Sequence, residues 1–437
     1  MRDRKMTKIK TVLFIFVTLQ VSFIQALELK NLVHQVVETN PEIKKIQYEL
    51  NSEYEDLLSS QKFPNTSLDL YGGAGGQRNF DYTLISDKDF DKYNAGIKLT
   101  HKLFDGYYAE SETDRYRASY DAKKFMLTST QQNVTLETIE LFLEILKLDE
   151  IAALSNKFLG DLILYIEMSS DKLDSGVLNA TEHSVVQMSY QIARNNNINA
   201  INNLKDTISL YEQSIGSFPP LSMMKYEDID KNKLPQSLQS ALKLAKQNHP
   251  VIAACKEHIK ETKAQYDGSF SRDYPELEFV LSADWQKNMK NTQKRERVVS
   301  AMFNINYNLL GKNNNTHYNE KYKNQVSQAK TLCEIKEREV NSSLKLSYAA
   351  FETMSLSQRY LSEAKKSSTA ITNSYVERSE VETISFEKLI QRSNQKLETE
   401  ILEIENRYDL VYSKYRVLHG MGLLLKHFDM NQHASQR

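Results

Sequence analysis

Beyond Pro275 the chain alternates between apolar and polar residues. Leu277, Phe279, Leu281, Ala283 and Trp285 interleave with Glu278, Ser282 and Asp284, and Val280 breaks the pattern. A polar tip over 286–297 leads to a second run. There Val299, Ala301, Phe303, Ile305, Tyr307 and Leu309 interleave with Ser300, Asn304, Asn306 and Asn308, and Met302 is the exception. A period of two sends successive side chains to opposite faces of a strand, and a tilted strand of about ten residues crosses a bilayer. The first half repeats the pattern more weakly. A Gly-rich stretch over 66–76 is followed by a charged tip with Asp87, Lys88, Asp89, Asp91 and Lys92. Ile97, Leu99 and Leu103 then alternate with Lys98, Thr100 and Lys102. The pattern predicts four strands per chain. An open sheet edge in lipid leaves backbone groups unsatisfied, and a membrane barrel needs at least about eight strands. Several copies must therefore contribute.

The remaining sequence has a helical period. Ile390, Asn394, Leu397, Ile401, Ile404, Tyr408, Val411, Tyr415 and Leu418 follow 4-3 spacing, as do Tyr190, Arg194, Asn197, Ile201, Leu204, Ile208, Tyr211 and Ile215. A sustained 3.5-residue repeat gives a left-handed coiled coil. All seven prolines lie at 41, 64, 219, 220, 235, 250 and 275, which leaves two long stretches without the strongest helix breaker. A single helix over 107–170 would be roughly 95 Å long at about 1.5 Å per residue. The prolines also fall in register: Asn40-Pro41 and Pro64 answer His249-Pro250 and Pro275. This predicts an internal duplication, with a first repeat over 27–218, a linker over 219–234, a second repeat over 235–428 and a tail over 429–437. Each repeat reads as helix, two strands and long helices.

Ahead of the first repeat, Arg2, Arg4, Lys5, Lys8 and Lys10 precede an apolar run over 11–24 and Ala26. A basic start, a short apolar core and a small residue form a secretory signal peptide over 1–26. Export is the expectation, against an uncleaved inner-membrane anchor. The balance of 56 basic and 57 acidic residues gives no pointer to nucleic acid. Cys255 and Cys333 stand far apart in helical sequence and read as buried free thiols. The histidines lack metal-ligand spacing. Gly72-Gly73-Ala74-Gly75-Gly76 lacks the Lys-Ser/Thr of a phosphate loop, and there is no nucleophile elbow. No enzyme activity, cofactor or metal is expected.

Several motifs carry a family resemblance. Asn40-Pro41 and His249-Pro250 open helices; Leu103-Phe104-Asp105-Gly106 and Asn308-Leu309-Leu310-Gly311 end strands. Leu173-Asp174-Ser175-Gly176 stands in mid-domain, and Tyr415-Arg416-Val417-Leu418 leads to Met421-Gly422-Leu423-Leu424. In this order and duplication the chain resembles the TolC-type outer-membrane channel-tunnels, most closely their type I secretion branch. The resemblance implies a mostly α chain with a membrane β-barrel: a long coiled-coil tunnel with four strands per protomer, closing twelve strands as a homotrimer. It implies a place in the outer membrane with reach into the periplasm. The implied partners are outer-membrane lipid, a periplasmic adaptor (membrane fusion protein) and an inner-membrane ABC or proton-driven transporter. Two transport roles stay open, type I protein secretion and multidrug efflux, beside a non-transport periplasmic coiled-coil scaffold. The resemblance also points to site residues. Gly176 would open the inter-helix turn. Thr181, Glu182, Glu380, Glu382 and Glu387 would surround a periplasmic constriction, with Val381 where a Gly is usual and Ile390 where a second acid is usual. Asp105, Gly106 and Gly311 would form strand-to-helix turns. The alternation itself puts Leu277, Phe279, Leu281, Trp285, Phe303, Ile305 and Tyr307 toward lipid.

Overall fold

A computed structural model describes residues 27–62, 65–79, 88–287, 295–309, 312–381 and 385–430. The expected signal peptide over 1–26, Pro64, Gly311, Glu382 and residues 431–437 of the expected tail lie outside them. The elements run β1 (Leu27–Glu28), α1 (Leu29–Thr39), α2 (Pro41–Gln61), β2 (Thr66–Asn79), β3 (Lys88–Phe104), α3 (Tyr108–Asp174) and α4 (Ala180–Ile215). They continue with β4 (Met224–Lys225), α5 (Leu238–Asn248), α6 (Pro250–Ser269), β5 (Glu276–Lys287), β6 (Arg295–Asn306), α7 (Lys312–Val381), α8 (Phe386–Gly420) and α9 (Leu424–His427).

The same local device opens the second helix of each half. Asn40 Oδ1 accepts from the Glu42 and Ile43 amides, and Pro41 supplies a first-turn residue with no amide to satisfy. His249 Nδ1 accepts from the Val251 amide ahead of Pro250. Without internal prolines, α3 and α7 run 67 and 70 residues, which is about 100 Å each at about 1.5 Å per residue.

The helices pack side by side in two tiers. Near the sheet, α3 lies between α2 and α6, and α6 lies between α3 and α7; farther away, α3 packs on α4 and α8, and α8 on α7. Where the tiers meet, α1, α5, α9 and the linker wrap the bundle. Leu32, Val33, Ile139, Phe142, Ala241, Leu344, Tyr415 and Met421 share one core there. The linker is more structured than its prolines suggest. Met224–Lys225 pairs in parallel with Leu27–Glu28, and Lys414 on α8 donates to both Asp228 oxygens and to Ile229 O.

Several sequence expectations need correction. Cys255 and Cys333 are disulfide-bonded, not free. Adjacent helices α6 and α7 bring their Cα atoms to 5.3 Å across 78 residues of sequence, which spacing along the chain could not reveal. Residues 88–92 belong to β3, not to a tip, and Gln286, Lys287 and 295–297 likewise extend β5 and β6. Charged strand ends can continue a ladder into water, so charge did not mark the turns; Asp87 lies outside the described residues. The helix seams also shift. Arg194, Asn394 and Ile201 are exposed, while Ala193 and Ser393 turn inward. Small side chains fit a tight seam where a long Arg cannot.

Candidate functional site

At one end of the molecule, four antiparallel strands lie in the order β2-β3-β5-β6. Opposed residues on antiparallel neighbours share a face, so the register fixes both sides. Leu68, Leu99, Leu281 and Ala301 form one row across the sheet, and Leu70, Ile97, Ala283 and Val299 form the next. Phe279 faces Phe303 with ring centroids 4.9 Å apart, and Leu277 faces Ile305. On this face Leu70, Val299, Phe303 and Ile305 are 71–84% exposed. Trp285 belongs to the same row set, opposite Ala95 and Arg297, and exposed Tyr307 follows the end of β6.

The opposite face is polar. Asp69, Lys98, Ser282 and Ser300 align, and Ser282 Oγ bonds both Asp284 and Ser300. Tyr71 reaches across β3 to donate its hydroxyl to Asp284 Oδ1. It can do so because Gly96 lacks a side chain: a Cβ there would lie 2.6 Å from the Tyr71 ring. The clasp ties the first hairpin to the second. The two alternation exceptions, Val280 and Met302, are cross-strand partners on this polar side.

A short turn joins the sheet to the helical bundle. The chain leaves β3 through Gly106 at φ +70° and Tyr107 at φ +67°. Asp105 caps α3 by accepting from the Tyr108 and Ala109 amides at 3.1 and 2.8 Å.

At the far end α3 stops at Asp174 and Gly176 (φ +73°) turns the chain, with the Val177 and Leu178 amides bonding back to Lys172 O. Asn179 Oδ1 then caps α4 by accepting from the Glu182 amide at 2.9 Å. Leu178 is buried with Phe158, Leu162, Tyr165, Val186, Phe386, Leu389 and Ile390, so α3, α4 and α8 meet in one small core. This places Gly176, Thr181, Glu182 and Glu387 at the same end of the bundle. Thr181 and Glu387 are exposed and Glu182 is half-exposed. Both acids lie in the first turn of a helix, where the helix dipole favours negative charge. Ile390 is a packing residue in that core. Glu380 lies in the last turn of α7, which ends at Val381; Glu382 lies outside the described residues.

Further side-chain links join α3, α7 and α8, and sequence reading missed those that follow. Lys172 Nζ donates to Ser379 O on α7 at 2.5 Å, and Ser393 Oγ on α8 donates to the Tyr165 hydroxyl at 3.3 Å. Farther along, Glu403 is 7% exposed and accepts from Gln358 and Lys365, while Arg407 and Tyr408 both reach Glu150 on α3. Burial pushes the Glu403 carboxyl up, but bonds from Lys365 and Gln358 with the nearby Lys365 and Arg407 charges outweigh it and hold the group below the usual range. The only available signal was the Glu403–Arg407 spacing of four, a pattern common on solvated helix faces.

No protein-family model matches the chain. It is 20% identical over 336 residues to the outer membrane efflux protein BepC of Brucella suis biovar 1, covering 75% of this chain and 71% of that one. Among solved structures it superposes on the outer-membrane channel OprN with a TM-score of 0.79 at 12% identity, over 90% of this chain and 89% of that one. For VceC of Vibrio cholerae the TM-score is 0.77 at 8% identity, over 90% and 96%. For the CmeC channel of Campylobacter jejuni it is 0.76 at 13%, over 94% and 87%.

Proposed function

We propose that this chain, which has the fold of TolC-type outer-membrane channels, is the passive exit duct of an envelope-spanning export machine. The observation that carries this reading is the open four-stranded sheet with one exposed apolar face, set on about 100 Å of helical bundle. Its strands alternate in direction from β2 to β6, so β6 of one copy meets β2 of the next antiparallel. Three copies would close twelve strands with no free edge in lipid. The helical layer has two unpartnered margins that suit the same closure. One margin is formed by α2 and α4, which carry exposed Tyr48, Met188, Ile192 and Leu210, and the other by α7, which carries exposed Leu346, Leu356 and Tyr360. The exposed face of Leu277, Phe279, Leu281, Trp285, Phe303, Ile305 and Tyr307 would meet outer-membrane lipid. The helices would extend into the periplasm, with Thr181, Glu182, Glu380, Glu382 and Glu387 around the mouth.

Energy would come from an inner-membrane transporter engaged through a periplasmic adaptor. The resemblance of 415–424 and the other motifs supports type I protein secretion with an ABC transporter as the specific role. The similarity to BepC, named as an efflux protein, favours a second reading, the outer duct of a multidrug pump. Deleting the gene separates the two. Loss of one large protein from the culture medium with unchanged drug tolerance is expected for secretion. Raised drug sensitivity with an unchanged medium would replace it with efflux. A chain found wholly in the soluble periplasmic fraction would defeat both and leave a scaffold.

A further inference from the structure

We propose that Cys255 and Cys333 are the substrate dithiol of an envelope thiol oxidant, and that their disulfide staples α7 in place before copies of the chain assemble. The inference rests on the multi-copy barrel proposed above. The bond joins α6, which leads into the second hairpin, to α7, which leads out of it. The covalent loop therefore contains β5 and β6 entire. In the tier near the sheet α7 is the marginal helix, with α6 as its main neighbour. Cys333 points inward and is 5% exposed, while Leu332 and Ile335 beside it are 44% and 46% exposed. Fixing Cys333 on α6 thus sets which side of α7 is offered to the next copy.

The first half has no counterpart. Ile46 stands five residues after Pro41, as Cys255 stands five after Pro250. There α2 is held on α3 by side-chain bonds, Ser119 to Glu53 at 2.8 Å and Lys123 to Glu49 at 2.9 Å. Moreover α3 is flanked on both sides within its own chain. The bond is found where a long helix has its own chain on one side only. A disulfide stabilises chiefly by restricting the open chain, so it acts most strongly on a helix not yet covered by a neighbour.

The chemistry is an exchange. The two thiols give up two protons and two electrons as the Sγ–Sγ bond forms, and the oxidant's own disulfide accepts them to become a dithiol. Because Cys333 is buried once α6 and α7 are docked, oxidation belongs to the stage before the tier is complete.

Pulse-labelled cells quenched with acid and treated with a mass-tagging maleimide test this. The monomer should already resist tagging unless reduced, ahead of any heat-resistant oligomer. A C255A/C333A chain should form oligomers several-fold more slowly, and each single variant should match the double. A membrane-permeant reductant given during synthesis should delay wild-type assembly, and the same dose after assembly should not dissociate the oligomer. Free thiols in the mature protein overturn the proposal, as does a double variant that assembles at the wild-type rate. Should the chain stay monomeric in the outer membrane, the barrel reading fails, and with it the assembly role of the staple; tagging then still decides whether the chain is an oxidant's substrate.

Discussion

A methyl group at Gly106 would lie 2.6 Å from Ser271 O and 2.8 Å from its Cα, on a backbone already at φ +70°. Gly176 has nearly the same φ, +73°, but nothing within 4 Å of a Cβ. Gly176→Ala should therefore cost only the left-handed strain of about 1–2 kcal/mol. Gly106→Ala adds a backbone clash and should cost more; calorimetric midpoints of the two variants would rank them, and equal losses would contradict the packing at Ser271. His249 and His419 meet edge to face between α5 and the end of α8. Their ring centroids lie 6.4 Å apart, with His249 buried and His419 partly buried. Burial, then the charge of the other imidazole, lowers His249 to about 4; burial, then Arg416, lowers His419 to about 4. In the unfolded chain both titrate near 6.5. Between about pH 6.5 and 4 the unfolded state binds more protons, so stability is complete above that window and falls as pH drops through it. His419→Gln should flatten this acid limb relative to wild type, read as thermal midpoint against pH, and an unchanged slope would exclude the pair as its source.

At the scale of elements, the face assignment of the strands has a direct test. Phe303 and Asn304 are neighbours on opposite sides of β6. Phe303→Arg puts a cation on the apolar face, at a cost of about 2–4 kcal/mol per copy at a bilayer midplane. It should reduce heat-resistant oligomer, whereas Asn304→Arg should assemble normally; equal yields would reverse or abolish the two-face reading. The strands were legible because their alternation has a period of two, and even the two exceptions prove to be partners, Val280 with Met302. Both long helices were legible from missing prolines. Illegible were the features that depend on which helices become neighbours. The disulfide joins residues 78 apart, Lys172 meets Ser379, and Glu403 turns inward among Gln358, Lys365 and Arg407. A charged residue in a heptad reads as solvated until the partner helix is known. Strand ends failed for a related reason, since charge marks the water boundary and not the turn.

For the whole molecule, the proposed closure makes each mouth residue recur in every copy. Glu182 and Glu387 both stand in first helical turns at the end far from the sheet, beside the core of Leu178, Phe386 and Ile390. Three copies of Glu387 around a narrow opening would reinforce one negative potential inside poorly polarisable walls and draw cations in. Wild-type channels in a planar bilayer should then be cation-selective. Glu387→Gln should lower that selectivity, and Glu387→Lys should carry it toward anions without loss of assembly, because Glu387 is exposed and outside the buried cluster. Glu182 gives a weaker version of the same test, since its backbone amide takes part in the Asn179 cap; the substitution leaves that bond in place and changes only the charge. A glutamate on the outer surface of the bundle would leave the reversal potential in a salt gradient untouched. An unchanged reversal potential for Glu387→Lys, in channels of normal yield, would remove Glu387 from the pore and with it the acidic mouth.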